Sequence, residues 1–131
     1  MPWLEDIQDW VAGESLGLVT GTSLFLGDMP DGDDVAEPTV SLSFLPGQVM
    51  HAMGATGPAV RAPMFQIMSR AHSYAAALEA IEGVYNALGL IKDQQIGTTK
   101  FLMVAADSEI EDQHKDGRDR QMFVARFRAW R

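Results

Sequence analysis

Residues 64–90, MFQIMSRAHSYAAALEAIEGVYNALGL, change hydrophobic period within a few positions, and this change constrains the fold more than any other stretch. Over MFQIM the alternation puts Phe65 and Ile67 on one face of a strand and Met64, Gln66 and Met68 on the other. Both faces are therefore expected to meet other parts of the protein. From Tyr74 the spacing becomes helical: Tyr74, Leu78, Ile81, Tyr85 and Leu88 follow at intervals of four, three, four and three. Ser73 stands where an N-cap is wanted, and Gly89 where the helix should stop. A strand that runs straight into an amphipathic helix calls for a sheet on which that helix can lie.

The flanking segments supply the other elements. PWLEDIQDWVAG reads as a short helix, with Pro2 in a tolerant first turn, Glu5 and Asp6 at the positive end of the dipole, and Trp3, Ile7, Trp10 and Val11 on one stripe. TSLFLG, between Gly21 and Gly27, reads as a strand followed by the acidic loop DMPDGDDVAEP. TVSLSFLPG then alternates Val40, Leu42 and Phe44 against Thr39, Ser41 and Ser43, a strand with one buried face that suits a hairpin with TSLFLG. A further strand is expected around residues 100–106, and EDQHKDGRD reads as a charged turn. RQMFVARFRAWR is the last strand, with Phe123, Ala125, Phe127 and Ala129 inward and Val124, Arg126, Arg128 and Trp130 outward. The order α-β-β-(long loop)-β-α-β-β predicts an α+β fold: one mostly antiparallel sheet with two helices packed on one face.

At 131 residues the chain is expected to form a single domain, residues 1–131, and its 47% hydrophobic and 21% charged content is that of a globular protein. It has no cysteine, which excludes disulfides, thiolate metal sites and thiol nucleophiles. MPWLED lacks a basic leader and no apolar run reaches the ~18 residues of a membrane span, so a cytoplasmic origin without membrane contact is expected. The net charge of −8 divides unevenly: residues 1–60 hold nine acids and no Lys or Arg (−9), and residues 61–131 hold ten bases and nine acids (+1). That split opposes general nucleic-acid affinity, which needs a basic face. It fits solubility, chance, or an acidic surface that does not adhere to a passing polyanion.

Reactive constellations are missing from the sequence. His51, His72 and His114 lie in separate segments without metal-ligand spacing, and there is no G-x-S-x-G elbow. Asp31, Asp33 and Asp34 cluster, yet the loop lacks the glycine and glutamate of a calcium-binding EF-hand. The glycines form neither a dinucleotide fingerprint nor a phosphate loop, so no cofactor, metal or catalytic residue is expected. Residues 46–63, PGQVMHAMGATGPAVRAP, carry a single charge at Arg61. Such a long uncharged connection suits an arm covered by another surface, with Met50 and Met53 in contact; an ordinary surface loop is the alternative. Arg126, Arg128 and Arg131 suit either an edge strand protected by charge or an ion-paired seam with an acidic neighbour.

Taken in order, WLEDIQDW, LFLGDMPD with its acidic loop, TVSLSF with its Gly/Pro loop, APMFQIMSRAHSYAAALEAIEGVYNAL, GTTKFLMVAADS and MFVARFRAW resemble the tail-terminator (minor capsid) proteins of long-tailed bacteriophages. The resemblance implies a ring, usually of six copies, that sits on the end of the tail tube, stops its growth and offers the surface joined to the head. It implies as partners other copies of the chain, a tail-tube protein and a head-tail connector or neck protein, with no specific nucleic-acid binding. The location implied is the virion tail, after synthesis in the bacterial host cytoplasm. On this reading Asp28, Asp31, Asp33 and Asp34 line the opening through which DNA passes, and Met50, Met53, Arg126, Arg128 and Arg131 belong to a subunit or tube interface. Two alternatives stay open: another neck or tail-assembly component, and a small enzyme or ligand-binding domain using His72, Tyr74 and Asp107.

Overall fold

The structure, a computed structural model, describes residues 2–30, 37–45 and 62–131. In chain order the elements are α1 (Pro2–Ala12), β1 (Leu24–Leu26), β2 (Thr39–Leu45), β3 (Met64–Ala71), α2 (Tyr74–Leu88), β4 (Lys92–Ile96), β5 (Thr99–Ala106), β6 (Glu111–Lys115) and β7 (Gln121–Trp130). The strands form one mostly antiparallel sheet in the order β1-β2-β3-β7-β5-β4, with β6 also paired to β7, so the fold is α+β.

The centre of the sheet is set by β3 and β7, which pair antiparallel from Met64↔Arg128 to Ala71↔Gln121. This register places Phe65 opposite Phe127, with their rings stacked at 5.7 Å. Trp3 of α1 meets Phe65 edge-on at 5.8 Å, and Tyr85 of α2 meets Phe127 edge-on at 5.1 Å. Aromatic contacts of this kind add about 1 kcal/mol each beyond the area they bury. Ile7, Val11, Leu24, Val40, Leu42, Ile67, Ile81, Leu88 and Phe101 complete one continuous core.

α2 begins as its sequence dictates: the Ser73 hydroxyl accepts from the Ala76 amide at 3.3 Å. It ends at Gly89, whose φ of −66° is ordinary right-handed backbone. The buried stripe is Ala77, Ile81, Val84, Ala87 and Leu88, rotated from the one the spacing predicts, and Tyr74 is exposed. Small side chains let the helix lie close to the sheet, so alanine positions that a hydrophobicity count undervalues form the contact. Leu78 and Tyr85 pack against the margin of the core.

Four further expectations are corrected. TSLFLG and TVSLSF do not form a hairpin: β1 and β2 are parallel, Leu24↔Val40 to Leu26↔Leu42. A parallel pair needs a crossover of about a dozen residues, and residues 27–38 provide that length. β2 buries Thr39 and Ser41 as well as Val40 and Leu42, while Phe44 is exposed. KDQQI forms strand β4 and EDQHK forms strand β6, so the second of these is not simply a charged turn. Val124, expected on the outward face of the last strand, is buried in the stretch where β7 is flanked by both β3 and β6.

The β4–β5 turn is fixed by α1. Gly97 adopts φ +58°, and the Asp6 carboxylate accepts from Thr98 Oγ1 at 3.2 Å and Thr99 Oγ1 at 2.6 Å.

Candidate assembly surfaces

The direction of β2 separates two ends of the sheet. β2 starts at Thr39, beside Arg70 of β3, and finishes at Leu45, beside Met64. Seven residues at about 3.3 Å each put these ends roughly 20 Å apart.

At the Thr39 end, β3 carries the groups that hold the flanks of the acidic segment. Arg70 is buried and donates through Nη2 to the carbonyl of Pro30. Two residues later, the Glu37 carboxylate accepts from the His72 backbone amide and contacts its ring Nδ1. Partial burial pushes the Glu37 carboxyl up, but the His72 amide, the His72 ring and the nearby Arg120 charge outweigh it and hold it below the usual carboxylate range. Asp28 is exposed on the approach to this point. Asp31, Asp33 and Asp34 lie outside the described residues.

The turn between β6 and β7 stands at the same end. Asp116 accepts from the amides of Arg118 at 2.9 Å and Arg120 at 3.0 Å, and its second oxygen meets Arg120 Nε at 2.9 Å. Burial pushes the Asp116 carboxyl up, and the two amides with the Arg120 guanidinium pull it further down, below its ordinary value. Arg120 is 3% exposed, so this pairing carries a cation into the body of the protein. Asp119 (φ 61°) takes left-handed backbone in the turn, and His114 (φ 64°) does so within β6, where the register with β7 shifts between Asp112 and Lys115.

The Leu45 end is organised by Arg128. Its guanidinium lies 3.4 Å from the Ala62 carbonyl, 3.3 Å from Met64 Sδ and 3.7 Å from Asp107 Oδ1. Arg126, two positions earlier, is exposed, with its backbone amide donating to Ser108 Oγ at 3.0 Å. Arg131 turns toward α1 and lies over the Trp3 ring at 5.6 Å. The three arginines thus divide: Arg128 and Arg131 make contacts within the chain, and Arg126 faces outward. Met50 and Met53 lie outside the described residues.

A cleft of about 440 Å³ opens between α2 and the α1–β1 connection, lined by Leu16, Leu18, Pro38, Ala76, Ala80 and Gly83 among others. Among the described residues its titratable lining group is Glu79, which by itself forms no acid–base pair. Residues His72, Tyr74 and Asp107 are not brought together either. His72 is held by Glu37, the Tyr74 ring lies edge-on to Phe123 at 5.1 Å, and Asp107 sits beside Arg128 at the other end of the sheet. Among the described residues there is no group of three or more His, Cys, Asp or Glu that could hold a metal ion, and no helix is long and apolar enough to cross a membrane.

Sequence reasoning passed over Arg70, Glu37 and Arg120, which hold the Thr39 end together. Arg70 carried a signal, being a charge inside an otherwise uncharged strand run. Glu37 and Arg120 sit in polar stretches where nothing sets them apart.

Comparison with known proteins bears on these surfaces. Residues 13–130 match the family model described as "Bacteriophage tail terminator protein". No curated protein matches the sequence. Among solved structures, a chain from the "Virion of native gene transfer agent (GTA) particle" superposes with a TM-score of 0.59, at 22% identity, over 84% of this chain and 78% of that one. A second solved chain has a TM-score of 0.52 at 12% identity, covering 98% of this chain and 90% of that one. At these identities the two structures speak for a shared fold.

Proposed function

The chain belongs to the bacteriophage tail terminator protein family, and we propose that it forms a ring, of six copies, which sits on the end of the tail tube and stops its polymerisation. The opposite surface of that ring is the one to which the head is joined. The partners are then further copies of this chain, the tail-tube protein and a connector or neck protein, and the location is the virion tail after synthesis in the host cytoplasm. The chain acts by fitting against these neighbours and catalyses nothing.

The observation that carries this reading is the chemical difference between the two ends of one sheet. The Thr39 end gathers the flanks of the acidic segment around Arg70 and His72, and the Leu45 end presents Arg126. A component that joins two unlike partners along one axis needs two unlike ends, and this sheet has them. Glu37 and Asp28 flank the acidic segment, so Asp28, Asp31, Asp33 and Asp34 would give the ring a lining that repels DNA phosphate while offering it no binding site. Met50 and Met53, in the connection that starts beyond Leu45, would seat that end on the tube.

The test is tube length. Purified tail-tube protein is allowed to polymerise with and without this chain, and tubes are measured by electron microscopy. Short tubes bearing a ring at one end are expected; tubes that keep elongating at saturating concentrations of the chain would refute the role. Replacing Asp31, Asp33 and Asp34 by Asn tests the lining separately: rings should still form and DNA delivery should fall.

A further inference from the structure

The sheet order leaves β1 and β4 as its two outer strands. Each edge exposes apolar side chains. On the β4 side Leu90 is 72% exposed, Leu102 45% and Met103 37%. Leu102 and Met103 are consecutive on β5 and so point to opposite faces, which means that at this point, between the buried Phe101 and Val104, the strand lacks full cover on both. On the β1 side Val19 is 56% exposed, and Leu16 and Leu26 are each 36% exposed. Isolated exposed leucines are ordinary, but two clusters on opposite edges of one sheet call for a covering surface.

Their charges are opposite. Residues 90–103 carry Lys92 and Lys100 against Asp93, a sum of +1, and residues 14–28 carry Glu14 and Asp28 with no base, a sum of −2. Asp93 is bonded to Lys100 at 2.9 Å, so Lys92, exposed at the start of β4, is the cation that remains to face a partner. β4 also presents an outer row of backbone N–H and C=O groups with no neighbouring strand among the described residues.

We infer that these two edges are the two halves of one contact: the β4–β5 edge of one copy docks on the Leu16–Asp28 edge of the next. This interface rests on the ring reading above and supplies its subunit contact. The occupant is a second copy because a single chain carries both complementary halves, one at each outer strand of its sheet. Such a head-to-tail contact generates a closed ring when the rotation per copy divides the circle, whereas a two-fold contact would stop at a dimer.

The absence of cysteine makes the test direct. Val19→Cys and Leu102→Cys are introduced singly and together, tails are purified from cells making each variant in place of the natural chain, and a short bis-maleimide cross-linker is added. The double variant is expected to give a ladder of dimer, trimer and higher species on a denaturing gel. Each single variant is expected to stay monomeric. The absence of a ladder from the double variant, or dimers from either single variant, overturns the interface. Tube capping by the unmodified chain is measured alongside. Capping without a ladder removes this contact and keeps the ring role, and a ladder without capping keeps the contact and removes the role.

Discussion

The Asp6 carboxylate occupies the space beside Gly97 so closely that a Cβ built on the glycine would lie 2.3 Å from Asp6 Oδ1. Residues at the two extremes of the core are thereby tied, α1 to the β4–β5 turn, through a position that also needs φ +58°. Gly97→Ala should therefore lower stability by about 2–3 kcal/mol, roughly 1 from left-handed backbone and the rest from the displaced carboxylate. Chemical denaturation checks this. The double variant Gly97→Ala with Asp6→Ala should show less than the sum of the two single losses, because the clash is absent once the carboxylate is gone.

Acid should loosen the Thr39 end. Glu37 and Asp116 have folded-state values below the ordinary carboxylate range, so the unfolded chain takes up protons first as pH falls. Their contribution is complete above the unfolded value of about 4 and is lost as pH falls through the lowered folded values. Asp116→Asn should be less stable than the natural chain at pH 7, by about 1–3 kcal/mol, and should lose less on going to pH 3. Urea midpoints at the two pH values measure both effects.

Arg126 and Arg128 should separate assembly from folding. Arg128 is held by Ala62, Met64 and Asp107, and Arg128→Ala should cost about 1–2 kcal/mol in a thermal or urea melt. Arg126→Glu, at an exposed position, should change stability by less than about 0.5 kcal/mol. Its effect is expected instead in the capture of tube ends, read by co-sedimentation with preformed tubes; unaltered capture would remove Arg126 from that surface.

Ser73→Ala should cost about 1 kcal/mol by removing the acceptor for the Ala76 amide, and Ser73→Asp should restore most of the loss. The nearby Ser69 hydroxyl donates to the Ala77 carbonyl at 2.8 Å in a fully buried setting. Ser69→Ala therefore acts on the same turn from the sheet side, and the two losses should not add.

The elements with a marked apolar pattern were legible in the sequence as elements: α1, β3, α2, β5 and β7 form where it places them, although the buried stripe of α2 is rotated and Val124 on β7 is buried. β4 and β6 were not, because KDQQI and EDQHK place almost nothing on the core; all five residues of β6 are exposed. Their strand state comes from hydrogen bonding to β5 and β7, a tertiary effect that leaves no hydrophobic trace. The parallel pairing of β1 was hidden for another reason. A three-residue strand reads identically in either direction, and only the length of the connection distinguishes the two outcomes. For the assembly surfaces, the acidic first half and the terminal arginines were visible as residue types. Whether a given arginine faces a neighbour or its own chain depends on packing, which is why Arg126, Arg128 and Arg131 have three different surroundings.

Pro30 and Glu37 are fastened to Arg70 and His72, two positions apart on a single stretch of chain. The described chain on the two sides of residues 31–36 is therefore anchored at nearly one point of the sheet. Length or charge added between those fastenings need not shift any strand, so an epitope spliced in there should tag the protein while leaving the scaffold unchanged.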